Sequence, residues 1–257
     1  MEKLNTALIG STGFVGSNLR RHAEYDQCYN SKDIQQICGR SFGTVTCAGI
    51  SANKWWANKN ADEDRRQIDV LYRALKYVSC DRFILISTVD VFREPVGVYE
   101  TDEPTSTGLH PYGSNRLDFE NRVRDLFPKV YVVRLPGVFG DGLKKNVIYD
   151  LLRLNRVDSV LPNSYFQWYP VDRLHCDIET ALSNELTLLH LAVPPLHTGT
   201  MVKDLFPNVE ISSDHSPGAF YDFRTKHSKI FNETGGYIIS SDRLIAMLRA
   251  FVERQCG

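Results

Sequence analysis

The chain reads as an α/β protein, a doubly wound parallel sheet with helices on both faces and a smaller C-terminal lobe. Three observations predict this class. A glycine-rich turn, Gly10-Ser11-Thr12-Gly13-Phe14-Val15-Gly16, follows directly on the apolar run Thr6-Ala7-Leu8-Ile9. Strand-like apolar runs then alternate with stretches of helical periodicity through the first half, the pattern of repeated βα units in a parallel sheet. The length, 257 residues with 42% apolar, suffices for one large α/β domain or for a domain with an appendage.

Lys3–Ile9 reads as the first strand, and Phe14–Ala23 as a helix with Phe14, Val15 and Leu19 on its apolar side. Gln27–Tyr29 and Gly43–Cys47 are the next strand candidates. Between Asp62 and Val78 the apolar residues Ile68, Leu71, Tyr72, Leu75 and Val78 fall at helical spacing. Arg82–Ile86 is a strongly apolar strand. Pro111 stands where the first turn of a helix tolerates proline, and Leu117, Phe119, Val123 and Leu126 continue that helix. Lys129–Val133 is the following strand. The second half is less regular: Val147–Leu154 reads as a helix, Thr187–Ala192 as a strand and Arg243–Glu253 as a terminal amphipathic helix, with Pro194-Pro195 and Ser216-Pro217-Gly218 as punctuation. The expected division is 1–140 for the dinucleotide-binding core and 141–257 mostly for the lobe, with a strand at about 187–192 returning to the core sheet.

Composition excludes several functions. A formal net charge of −1 gives no electrostatic footprint for nucleic acid or a membrane surface. There is no apolar run of membrane-spanning length. Met1-Glu2-Lys3-Leu4-Asn5 leads straight into the first strand, which argues against a signal peptide. The six cysteines are scattered without a CxxC pair, arguing for reduced thiols, a cytoplasmic location and no metal site.

The glycine turn carries the first chemistry. A buried strand that stops at glycine and restarts as a helix presents helix-terminal N–H groups, which bind phosphate. Its place after a strand and before an amphipathic stretch is what dinucleotide binding requires, with Gly10, Thr12, Gly13, Phe14, Val15 and Gly16 as contacts. A second site opens the helix at His110-Pro111-Tyr112-Gly113-Ser114-Asn115-Arg116. Tyr112 and Arg116 are four apart and share a helix face. A cation beside a phenol is expected to lower its pKa, so that Tyr112 exchanges a proton with a substrate hydroxyl near neutral pH. Thr88, ending the strand before it, is placed to share that oxygen, with hydride passing between the substrate carbon and a nicotinamide.

This order of motifs resembles the extended short-chain dehydrogenase/reductase family, the NAD-dependent epimerase/dehydratase group, over essentially the whole chain. The resemblance implies a Rossmann-type doubly wound parallel sheet with a small C-terminal substrate lobe. Gly10, Gly13 and Gly16 match the family's cofactor loop. Cys47-Ala48-Gly49 matches its small-residue turn, which brings Ala48 and Gly49 to the cofactor. Ser87 and Thr88 match the active-site hydroxyl pair, with Thr88 catalytic, and Tyr112 matches the catalytic tyrosine. Arg134-Leu135-Pro136-Gly137-Val138-Phe139-Gly140 resembles the RxxNxYG segment, implying a cofactor contact from Leu135. Tyr169-Pro170-Val171-Asp172-Arg173-Leu174 and Asp222-Phe223-Arg224-Thr225-Lys226 resemble two later family segments. The implied activity is NAD(P)-dependent oxidation–reduction or epimerisation of a nucleotide-linked keto sugar. The implied assembly is a homodimer through helices at Asp62–Val78 and Leu117–Phe127.

The departures sharpen this. The family's lysine four residues after the tyrosine is Arg116, which is implied to tune Tyr112 and to hold the nicotinamide ribose; the swap is not conservative. The asparagine of RxxNxYG is Gly137. Where many relatives carry an acidic residue for the adenosine ribose, this chain has Asn30-Ser31-Lys32-Asp33. Ser31 and Lys32 suit a 2′-phosphate, which favours NADP over NAD. Asp33-Ile34 resembles an adenine contact, although Ser31 or Asp33 is also a candidate helix cap. Asp90 falls where some relatives carry a proton-transferring residue, while Val89 occupies the neighbouring acid position, which disfavours a dehydratase. Asp90 is alternatively a brace for a loop near Arg93. Trp55 and Trp56, on an expected polar loop, are candidates to stack on a base or sugar, or to form a subunit contact. Asn146 and Gln167 stand where relatives contact the substrate diphosphate. The rival expectation is a dinucleotide-binding sensor or scaffold that has lost catalysis, motivated by Arg116 and Gly137.

Overall fold

The structure, a computed structural model, describes residues 5–256. The chain divides into two units, one of Met1–Arg93, Glu103–Arg134 and Asp172–Leu189, the other of Glu94–Asp102, Leu135–Val171 and His190–Gly257. The expected boundary at 140 is therefore shifted: 94–102 joins the second unit, and 172–189 the first.

The first unit carries a six-stranded sheet. Its strands are β1 (Thr6–Ile9), β2 (Gln27–Tyr29), β3 (Ser41–Cys47), β4 (Ser79–Thr88), β5 (Val130–Leu135) and β8 (Leu188–His190), in the order β2-β1-β3-β4-β5-β8. Lys3 and Leu4 of the expected first strand lie outside the described residues. The pairings of β1 with β2, β1 with β3 and β3 with β4 are parallel, with Ile9 opposite Tyr29 on one side and Cys47 on the other. Strand order reverses direction at β1, so loops leaving β1 and β3 diverge there and open a crevice at their carboxyl ends.

Four helices position the site. The first, α1 (Phe14–His22), leaves the glycine turn, with Arg20, Arg21 and His22 in its last turn favouring the negative end of the helix dipole. The short α2 (Lys54–Lys59) replaces the polar loop expected at the two tryptophans. The third, α3 (Ala61–Leu75), buries Ile68, Leu71 and Leu75, the predicted stripe, and adds Asp64 to that face. The fourth, α4 (Pro111–Leu126), starts at the predicted proline. Phe119 and Val123 of α4 join Val45, Phe83, Leu85, Leu71 and Leu75 in one apolar cluster. Phe83 stacks on Phe127 with ring centroids 4.4 Å apart. A further helix, α6 (Leu174–Ser183), completes the unit.

The second unit holds a three-stranded sheet of β6 (Gly137–Phe139), β7 (Tyr165–Pro170) and β9 (Pro195–His197), with β7 central. Beside it run α5 (Val147–Arg153), α7 (Thr198–Leu205) and α8 (Ser241–Cys256). No helix among the described residues is long and apolar enough to cross a membrane.

Candidate active site

The glycine turn is fixed by close approach. Gly10 has φ +84°, and its N–H donates to Tyr29 O at 2.8 Å. A Cβ on Gly10 would lie 2.3 Å from Ala48 O, and one on Gly16 would lie 2.1 Å from Gly10 O, so neither position admits a side chain. Helix α1 begins at Gly13 with no capping side chain and no acidic residue in its first turn. Thr12 and Gly13 form the exposed crest, and Gly49 is exposed at the end of β3. The N-terminal amides of α1 are thus left for an anion, the environment a dinucleotide pyrophosphate requires.

At the end of β2, Asn30 and Asp33 hold each other. The Asp33 carboxylate accepts from Asn30 N at 2.6 Å and from Asn30 Nδ2 at 2.9 Å, while Asn30 Oδ1 accepts from Lys32 N. Asp33 makes no side-chain cap to the turn that follows, and Ile34 is buried. Ser31 and Lys32 are exposed at the crest of this turn.

The strongest constellation joins β4 to α4. The Thr88 hydroxyl accepts from Asp90 N at 3.1 Å and lies near enough to the Tyr112 phenol to lower its pKa. Pro111 sits in the first turn of α4, where a missing N–H leaves no intrahelical bond unmade. The next two amides are satisfied from outside the helix: Tyr112 N donates to Asn58 Oδ1 of α2 at 2.9 Å, and Gly113 N to His110 Nδ1 at 3.0 Å. Tyr112 is therefore held from both sides and buried.

Arg116 departs from its expected role. Its guanidinium carbon lies over the Tyr112 ring, 3.8 Å from the centroid. Its terminal nitrogens bind both oxygens of buried Asp64, together with Ser51 O and Tyr112 O. Only Nε lacks a partner. Held this way, Arg116 spends its fork inside the protein, and holding a ribose would require part of that network to open. The expected lowering of the Tyr112 pKa is also corrected. Burial raises it most; Arg116, Thr88 and Lys54 lower it and Asp90 raises it further, leaving the phenol above its ordinary value.

Asp90 is ion-paired with Lys54, Nζ to Oδ1 at 2.7 Å. The backbone of Asp90 is pressed against α4, where a Cβ on Gly113 would lie 2.0 Å from Asp90 O. His110 is lowered from its ordinary pKa, first by burial and next by Lys54, with Asp90 opposing.

No family model and no curated protein matches this sequence. Solved structures match its fold closely. A dTDP-4-dehydrorhamnose reductase from Bacillus anthracis, crystallised with NADP, superposes with TM-score 0.72 at 16% identity, over 98% of this chain and 99% of that one. A UDP-N-acetylglucosamine 4-epimerase from Methanobrevibacter ruminantium, in complex with UDP-N-acetylmuramic acid, gives 0.74 at 13% identity over 98% of each chain. A variant of UDP-glucuronic acid 4-epimerase from Bacillus cereus, in complex with NAD and a fluorinated UDP-sugar acid, gives 0.67 at 16% identity over 98% of each. The fold is that of these sugar-nucleotide reductases and epimerases.

Within this fold the remaining candidates divide. The Ser87 Oγ donates to Glu120, which Arg134 grips through Nε at 3.1 Å and Nη2 at 2.7 Å. That network ties β4, α4 and β5 together and gives the Ser87 hydroxyl a partner inside the protein. Ala48 abuts Gly10, and Leu135 is buried. Trp55 is exposed with Lys59 Nζ 4.2 Å from its ring, and Trp56 is half-buried. Asn146 caps α5, accepting from Tyr149 N and donating to Val138 O at 2.8 Å. Gln167 is 1% exposed; its Nε2 donates to Val193 O and Phe223 O and its Oε1 accepts from Phe223 N. Gln167 is thus committed to the second unit's own backbone, while half-buried Asn146 keeps one amide hydrogen beyond its bond to Val138 O.

Three site residues escaped the sequence reading: Asp64, Asn58 and Lys54. Asp64 had a signal, since it lies four residues before Ile68 on the apolar face of α3, where a carboxylate needs a buried partner. Asn58 and Lys54 had none beyond their place beside the tryptophans.

Proposed function

We propose that the protein is an NAD(P)-dependent oxidoreductase acting on a nucleotide-linked keto sugar, with Tyr112 as the proton donor. The observation that carries this reading is the placement of Thr88 at the end of β4 beside buried Tyr112 in the first turn of α4, on the sheet that also presents the uncapped α1 N-terminus. Similarity to the fold of reductases and epimerases crystallised with NADP, NAD and nucleotide sugars supports it.

The residues at the glycine turn fit a dinucleotide: Gly10 and Gly16 permit close backbone approach, and the first turn of α1 carries no competing carboxylate. A bound nicotinamide would supply the hydride. Thr88 orients the substrate oxygen, and Tyr112 gives it a proton. A phenol raised above its ordinary pKa stays protonated at neutral pH, which suits it as an acid and favours ketone reduction. Epimerisation needs a second proton carrier, and Asp90 would serve only if its pair with Lys54 opened. Ser31 and Lys32, exposed beyond β2 with no carboxylate of their own, favour NADP. Trp55 offers an exposed ring for a base or sugar.

The test is turnover of NADPH with a panel of nucleotide-linked 4-keto sugars by the parent, Tyr112→Phe and Thr88→Ala. Loss of at least about a hundredfold in kcat for Tyr112→Phe is expected. Equal rates for parent and Tyr112→Phe would remove the assignment. A sensor without catalysis draws support from the capture of Arg116 by Asp64; it predicts tight dinucleotide binding with no turnover by the parent, Tyr112→Phe or Thr88→Ala.

A further inference from the structure

We propose that Lys54, delivered by α2 and held by Asp90, is the movable cation that adds to the fixed charge of Arg116 in stabilising the Tyr112 phenolate during proton transfer. This rests on the reading of Tyr112 as the proton donor.

The need is electrostatic. When the Tyr112 O–H bond breaks and its proton passes to the substrate oxygen, with the hydride coming from the reduced dinucleotide, a negative oxygen remains at a buried position. A buried anion without a counter-charge is costly. Arg116 is near, but it lies over the ring face and its terminal nitrogens are bound to Asp64, Ser51 O and Tyr112 O. It is a fixed background charge.

Lys54 reaches the same place from another element. Lys54 and Asn58 are four apart and share a face of α2. Asn58 Oδ1 accepts the Tyr112 amide at 2.9 Å, which pins that face to the first turn of α4. Lys54 Nζ lies 2.7 Å from Asp90 Oδ1, and Asp90 N donates to the hydroxyl of Thr88, the residue nearest the phenol at the end of β4. Asp90 O in turn packs on Gly113, the residue after Tyr112. Three contacts thus converge on one helical turn. Lys54 is about a third exposed and ends a flexible stem, so it can shift toward a new negative charge as Arg116 cannot. The charged groups facing the phenol are Lys54 from α2, Asp90 from the turn after β4, Arg116 from α4 and the neutral-leaning His110 before it; Asp64 of α3 is taken by Arg116. Of these, Lys54 and Asp90 form the adjustable pair. Asp90 is on this account a positioning residue and not a base.

The test uses Lys54→Met, Lys54→Arg, Asp90→Asn and Tyr112→Phe in the full chain. Proton NMR of the His110 ring without cofactor reports the local field. Lys54→Met is expected to raise its midpoint, and Asp90→Asn to lower it. In NADPH turnover, Lys54→Met is expected to move the alkaline limb of the pH profile up by about one unit and to cut kcat about tenfold, with Lys54→Arg restoring most of both. An unmoved His110 titration and an unmoved alkaline limb in Lys54→Met, with Tyr112→Phe inactive, would overturn the role of Lys54 alone. Activity in Tyr112→Phe equal to the parent would instead overturn the proposed function.

Discussion

The guanidinium of Arg116 stacks on the ring of Tyr112 at 3.8 Å while its terminal nitrogens grip Asp64, two residues that are 3% and 2% exposed. The pair joins α3 to α4, and Asn115 adds a second bond to Asp64 at 2.8 Å. Removing one partner of such a pair strands a buried charge. Asp64→Ala is therefore expected to cost about 3–5 kcal/mol of stability. Urea unfolding of parent and variant measures this; a loss below about 1 kcal/mol would show that the pair opens readily to water.

Arg116→Lys keeps the charge but loses the fork. One ammonium cannot reach both Asp64 oxygens, Ser51 O and Tyr112 O together. The expected outcome is a loss of about 1–3 kcal/mol, with lower turnover, because Tyr112 loses its stacked support. A rise in turnover from near zero would favour the sensor reading, with Arg116 as the change that silenced an older enzyme.

The glycine turn makes a graded prediction. At Gly10 the backbone is left-handed and a Cβ would collide with Ala48 O, and at Gly16 a Cβ would collide with Gly10 O. At Gly13 φ is −74°, and a Cβ would stand 3.3 Å from Gly10 O. Gly10→Ala and Gly16→Ala should abolish dinucleotide binding or folding. Gly13→Ala should fold, with binding weakened far less. Calorimetric titration with NADPH and NADH ranks the three and measures the preference attributed to Ser31 and Lys32. Equal loss in all three would sink the steric account.

Thiol reactivity should separate the six cysteines. Burial pushes Cys47 and Cys80 up to about 12, so at pH 8 roughly one in ten thousand is thiolate. Cys176 and Cys256 are exposed. A chromogenic disulfide reagent at pH 8 is expected to modify Cys176 and Cys256 first, with Cys47 and Cys80 reacting only in denaturant. Fast modification of Cys47 in the folded protein would contradict its burial.

What the sequence made legible follows from what each element depends on. Gln27–Tyr29, Pro111–Leu126 and the glycine turn were readable because their signals are local: an apolar run, a proline at a helix start, a strand that ends in glycine. The placement of Thr88 beside Tyr112 was readable because two such signals fix where each stands. The partners of Gln167 and Asn146 were not legible because nothing local shows that Phe223 and Val193, or Val138, bond their amides. Arg116 was misread for the same reason: its partner Asp64 lies 52 residues earlier. Lys54 was passed over because a six-residue helix that includes the two tryptophans is too short for a periodicity to reveal it.

The cap at His110 gives the chain an acid-side sensitivity. His110 Nδ1 accepts the Gly113 amide, which assigns the ring proton to Nε2, and a protonated ring can no longer accept. Its pKa is lowered in the fold by burial and by Lys54, so the unfolded chain takes up this proton at a higher pH than the folded one. The sign follows from linkage: stability from this group is complete above the unfolded value of about 6.5 and is lost as pH falls below it toward the lower folded value. His227 is lowered as well, again chiefly by burial, and contributes with the same sign. The parent is therefore expected to lose stability between pH 7 and pH 5. His110→Asn, which keeps a side-chain acceptor for Gly113 but has nothing to titrate, should show a shallower loss, with the remainder removed on adding His227→Gln. Thermal denaturation across that range reads the slopes, and a slope in His110→Asn as steep as in the parent would mean that the cap does not sense pH.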